Sequence, residues 1–213
     1  MTNNVRGTAT RQKILEVAVE TVALNGFGAT NLHEVADRAG LSSGAVYYHF
    51  ESKEALAVAI IEEAWSKTWT LVLHDLAYPG AGLESVIRMT FSLTELLLRD
   101  DAVRLAYQLA QAFGDSHAET HAMLREHLYS FTDAVFMAVR PCDISDETTL
   151  GAVANHVWLL VYGSHHLARM RREDHYVGLA ENWMILLRSV VPAESLSYFE
   201  KCVARTAEQF DSA

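Results

Sequence analysis

Cysteine and proline are scarce, with two and three in 213 residues. Cys142 and Cys202 stand far apart, so no disulfide framework is indicated, and free thiols in a cytoplasmic chain are the simplest expectation. Few prolines and little apolar–polar alternation argue for an all-α protein. No apolar run reaches the ~18 residues needed to cross a bilayer. The opening stretch MTNNVRGTATRQK has no signal-peptide core, so no membrane partner is expected. Enzyme signatures are missing too: there is no G-x-S-x-G, phosphate loop or H-E-x-x-H. YGSHH (162–166) has no elbow context, and Cys142 follows Pro141 without a base nearby. His117 and His121 have i,i+4 spacing, but no third ligand is evident, so neither a metal nor a cofactor is expected.

Positive charge is also short. Seventeen bases face twenty-seven acids, for a net charge of −10. The distribution matters more than the sum. Residues 1–54 are close to neutral, and Arg6, Arg11 and Lys13 stand at the start without an acid among them. The excess of acid lies in the remainder, leaving a near-neutral head with a basic tip on an acidic body.

What is present is helical periodicity. A first helix fits 10–25, with Thr10 as N-cap and Asn25-Gly26 as a left-handed cap. A second follows Thr30 or Asn31, with Glu34 three residues on in the manner of a capping box, and ends at Gly40. A short third helix runs from Ser42 or Ser43 to about His49, and Ser52 caps a long fourth reaching about residue 75. Helices are then expected at 83–98, 101–113, 121–140, 148–170 and 176–191, with a short one at 194–210. They are separated by AYPGAG (77–82), GDSHAET (114–120) and Pro141 with CDISDE (142–147), where Ser145 is the expected cap. The helices at 148–170 and 176–191 are apolar on most faces, which fits either burial by a second subunit or a large single-chain core.

A helix, a tight glycine-containing turn and a short helix form the helix-turn-helix pattern, whose second helix can enter the major groove. Here that segment reads SSGAVYYHF. After Ser42, Ser43, Gly44 and Ala45 come Tyr47, Tyr48 and His49, poor core material but suited to phosphates, sugars and thymine methyls. One of the two tyrosines is equally well explained by inward packing. Thr30, Asn31 and Lys53 stand at helix starts, where free N–H groups and positive charge suit a phosphate.

TRQKILEVAVETVALNGFGATNLHEVADRAGLSSGAVYYHFESKEAL (10–56) resembles the DNA-binding domain of the TetR family of repressors. The resemblance implies an all-α fold. Its helix-turn-helix domain would occupy 1–54, and a helical ligand-binding and dimerisation domain 55–213. It implies a homodimer on a pseudo-palindromic operator, released by a small-molecule signal. VIRMTFSLTELLLRDDAVRLAYQLA (86–110) and LAENWMILLRSVVPAESL (179–196) look like segments of the γ-butyrolactone receptors, which control antibiotic and secondary-metabolite genes. Ser43 stands where many of these carry lysine, which implies a different operator. His127 stands where they carry a pocket tryptophan, which favours a furan carboxylic acid over a neutral lactone. Tyr107, Gln108, Gln111, His127, Tyr129, Trp158, Tyr162 and Trp183 interrupt apolar faces and are candidate ligand contacts. The alternatives are a repressor of an efflux or catabolic gene with an unrelated hydrophobic ligand, a constitutive DNA-binding protein and a small helical enzyme.

Overall fold

The computed structural model describes residues 2–76, 81–113, 117–140, 143–144 and 150–211, without the side chains of 2–5 and 119. Pro141, Cys142 and the expected cap Ser145 lie outside the described residues. The described residues form helices α1 (Thr2–Asn25), α2 (Leu32–Ala39), α3 (Ser43–His49), α4 (Lys53–Leu76) and α5 (Leu83–Arg99). After these come α6 (Asp101–Phe113), α7 (Ala118–Ala138), α8 (Leu150–Arg171), α9 (His175–Val190) and α10 (Ala193–Asp211). The all-α expectation holds. Three boundaries differ. Helix α1 begins eight residues before Thr10, whose hydroxyl does not cap but donates to the Arg6 carbonyl at 2.9 Å. Helix α7 starts three residues early, because the His121 N–H reaches back to the His117 carbonyl at 2.9 Å. Helix α10 is not short: it runs for 19 residues, with Phe199, Cys202, Val203 and Thr206, at spacings of three and four, buried along its middle.

The chain divides into two compact units, 1–67 with 100–122, and 68–99 with 123–213. The first contains α1, α2, α3, α6 and the first part of α4. Ile14, Leu15, Ala18, Leu32, Val35, Ala36, Val46 and Phe50 are buried there. Helix α6 packs against α1. In the second unit, α5 lies against α8, α9 and α10. Phe91 of α5 stacks on Tyr176 at 6.3 Å and meets Phe210 at 5.9 Å. Trp183 is fully buried and donates its indole N–H to Thr90 at 2.9 Å, so this large ring carries no orphaned donor.

One ionic clamp fixes the start of α5. The buried Asp143 carboxylate accepts from the Leu83 N–H at 3.0 Å, supplying an acidic cap from sixty residues away. It also accepts from Arg140 Nε and Nη2 at 3.2 and 3.0 Å. Gly82 sits at φ +94, and its N–H donates to the Ala138 carbonyl at 2.9 Å. A Cβ there would meet Arg140 Nε and Asp143 Oδ2, each at 2.8 Å. Gly82→Ala should therefore destabilise the protein by about 1–3 kcal/mol, from the left-handed conformation and the collision together. Thermal melting checks this, and an unchanged midpoint would show that the clamp is slack.

Candidate nucleic-acid interface

The first unit presents α3 through its caps. Asn31 Oδ1 accepts from the Glu34 N–H at 2.9 Å, starting α2. The Glu34 carboxylate takes the Asn25 side-chain amide at 2.5 Å, so it braces the end of α1. Gly40, at φ +64, ends α2, where Gly40 N–H and Leu41 N–H donate to the Asp37 and Ala36 carbonyls at 3.1 and 2.9 Å. This is a Schellman turn, open to a residue without a Cβ. Ser42 Oγ then accepts from the Ala45 N–H at 3.2 Å and starts α3 one residue later.

Val46 is the buried residue of α3. Tyr47 is 45 % exposed and Tyr48 86 % exposed, so both rings face outward in this structure. Tyr48 meets His49 edge-on at 5.2 Å. Ser43 Oγ lies 2.9 Å from His33 Nδ1, and the His33 ring stands 5.7 Å from Tyr47. His33 is thus drawn into the same exposed cluster. Sequence reasoning passed over it, although its place in the first turn of α2 brings it near the start of α3. Thr30 is buried, and its hydroxyl donates to the Gly26 carbonyl at 3.0 Å. Lys53 Nζ donates to the carbonyls of Phe27 and Gly28 at 3.0 and 3.2 Å and lies 4.7 Å from the Phe27 ring centre. An ammonium has three donors, so one remains for a phosphate. Arg6 and Lys13 are exposed on α1, and Arg11 lies over the Phe50 ring.

The candidate ligand contacts fall in both units. On α6, Gln111 Nε2 donates to Tyr107 Oη at 2.8 Å, and Gln108 is exposed. In the second unit, His127 is half-buried one turn before Phe131 on α7, Phe131 meets Trp158 edge-on at 5.2 Å, and Trp158 lies 4.3 Å from Tyr162. Tyr129 is exposed, and Trp183 belongs to the buried core already described. Burial disfavours the imidazolium of His127 and pushes it down to about 4. Among the described residues, no three metal-binding side chains gather, and no helix is long and apolar enough to cross a membrane.

Residues 14–60 match the family model of bacterial regulatory proteins, tetR family, and residues 80–192 match the tetracyclin repressor-like C-terminal domain. The chain belongs to the tetR family. This regulator is therefore a DNA-binding transcriptional regulator rather than an enzyme. A crystal structure of a gamma-butyrolactone receptor (ArpA like protein) matches with a TM-score of 0.73 and 29 % identity, over 96 % of this chain and 99 % of that one. CprB from Streptomyces coelicolor, solved in complex with its biological operator sequence, matches with a TM-score of 0.70 and 30 % identity, over 96 % of this chain and 99 % of CprB. The HTH-type transcriptional regulator AcrR of Shigella flexneri is 32 % identical over 101 residues, which span 47 % of this chain and 47 % of AcrR's length.

The exposed tyrosine can be separated from the fold. Tyr48→Ala should weaken DNA binding about tenfold while leaving the melting temperature nearly unchanged, because the side chain packs little in the free protein. Fluorescence anisotropy with a duplex that the wild type selects from a random pool measures this. Wild-type affinity would remove Tyr48 from the interface.

Proposed function

We propose that the regulator is a cytoplasmic, homodimeric repressor of antibiotic or secondary-metabolite genes, released from a pseudo-palindromic operator by a furan carboxylic acid or butyrolactone-like signal. The observation that carries this reading is the near full-length likeness to a gamma-butyrolactone receptor and to CprB. The outward-facing Tyr47 and Tyr48 of α3 support the DNA-reading half of the proposal.

Dimerisation is supported by the outer face of α8 and α9. Leu159 and Ile185 are 61 % and 66 % exposed, and Leu167, Met170 and Val177 are exposed as well. A groove of about 550 Å³ runs between Leu159, Leu167 and Ile185, lined also by Leu160, Gly163, Asn182 and Leu186. Apolar surface of this kind on a helix pair suits a second copy of the same pair, packed as a four-helix bundle about a two-fold axis. That two-fold is also what a palindromic operator requires. Ile185→Glu should leave the protomer folded, since the side chain is exposed, but prevent pairing. Light scattering should then give the mass of one chain, and a dimer of wild-type stability would contradict the assignment.

Release requires a signal that binds the non-DNA conformation better. A coupling of ~1–3 kcal/mol would change DNA affinity about 5–150-fold. His127 is the proposed polar anchor. Its neutral imidazole at neutral pH can bond a carboxylate strongly only after taking up a proton. A bound carboxylate raises the imidazole's pKa above the value in the empty protein, so affinity for a furan carboxylic acid should rise as pH falls from 7 towards 5. A neutral lactone should show no such slope. His127→Phe should flatten the pH profile for the acid while sparing DNA binding. Calorimetry over this range tests the point, and a pH-independent affinity for the acid in the wild type would exclude the charge-assisted bond.

A further inference from the structure

Helix α6 carries Tyr107, Gln108 and Gln111, yet it lies in the same compact unit as the DNA-binding helices. It is fastened there at both ends. At its start, Asp100 Oδ1 accepts from the Ala102 and Val103 N–H groups at 2.9 and 3.0 Å, and Asp100 Oδ2 accepts from Lys67 Nζ of α4 at 3.0 Å. At its end, the half-buried Phe113 ring stands edge-on to Phe27, with centroids 5.0 Å apart and planes at 84°. His117 meets Phe113 in a second edge contact at 5.0 Å.

Phe27 lies in the turn between α1 and α2. Its ring faces Lys53 Nζ, and its carbonyl, with that of Gly28, accepts two of the ammonium's hydrogen bonds. Lys53 is thus held by the Phe27–Gly28 turn, and the Phe27 ring in turn meets the last residue of α6. Aromatic edge contacts and cation–π pairs depend on ring orientation, so a turn of the Phe27 ring alters the face offered to the ammonium, and a shift that carries the backbone of this turn moves the two carbonyls with it.

We propose that Phe113 is a positioning residue for DNA binding: by gripping Phe27 it sets the turn that aims Lys53 at a phosphate, so that displacement of α6 is felt as loss of that contact. The inference rests on the reading of Lys53 as a phosphate contact, and it adds a route from the helix bearing candidate signal contacts to the DNA. No rearrangement of α3 is required. A shift at the end of α6 suffices, because Phe27 and Lys53 respond as one unit.

Salt dependence gives a readout that mere destabilisation does not move. Each neutralised phosphate contributes about 0.9 to the slope of log affinity against log salt on duplex DNA. With a duplex selected by the wild type from a random pool, Lys53→Ala should lower the slope by about that amount. Phe113→Ala should lower it by the same amount and weaken binding about tenfold, the scale of one charge-assisted bond. The double variant should bind no worse than Lys53→Ala, within about twofold, because both changes remove one contact. Should Phe113→Ala fail to give a cooperative melt, Phe113→Leu keeps the apolar bulk without the ring and is measured in its place. A folded Phe113 variant with the wild-type slope, or a double variant whose losses add, overturns the proposal. Failure of the wild type to select any duplex would overturn the repressor reading as well. An unchanged slope in Lys53→Ala alone would overturn this inference and leave that reading standing.

Discussion

A helix of seven residues has too few internal hydrogen bonds to persist by itself, so the reading head depends on how α3 is held from outside. Three constraints hold it. Gly40 takes a left-handed conformation that turns the chain sharply after α2, Ser42 caps the first turn, and Val46 anchors one face in the core with Phe50 just beyond. With orientation supplied by these neighbours, the opposite face is free of structural duty. Tyr47 and Tyr48 occupy it, with the half-buried His49 edge-on to Tyr48 and His33 joined to Ser43 alongside. The same economy explains Lys53. Its ammonium is held by two carbonyls and an aromatic face, so a phosphate contact, as proposed, would cost less side-chain flexibility than a free lysine would lose.

The second unit follows a different logic. Helix α5 is enclosed by α8, α9 and α10, and its polar side chains are satisfied internally, with Thr90 receiving the Trp183 N–H and donating to the Ile87 carbonyl. The Asp143 clamp then secures its start. Helices α8 and α9 bury one side against each other and α5, and leave Leu159, Leu167 and Ile185 outside. An exposed apolar face of this kind marks an interaction surface, and this is the ground on which the pairing of two copies is proposed.

Much of this was legible in the sequence because local chemistry decided it. Asn31, Gly40 and Ser52 are capping residues at the ends they were expected to cap, Ser42 caps the helix expected to start at it or at Ser43, and Ser52 Oγ accepts from the Ala55 N–H at 3.0 Å. Thr10 misled, since a threonine within a helix can return its hydroxyl to the carbonyl four residues back as readily as it can start one. What the sequence withheld was long-range. Nothing in the pattern around Asp143 shows that it caps a helix sixty residues earlier. Nothing around Phe113 marks Phe27 as its neighbour, or α6 as part of the head. His127 was visible as a polar break in an apolar face, but its neutrality follows from burial, which only the folded chain supplies.

In the proposed function, signal and DNA compete through one conformational equilibrium. Thermodynamic linkage makes the coupling reciprocal. The most direct measurement is calorimetric titration of a furan carboxylic acid into the protein, free and saturated with its selected duplex. Binding to the DNA-bound protein should be weaker by the same factor, about 5–150-fold, by which the acid weakens DNA binding. Equal affinity for the free and DNA-bound protein would contradict it.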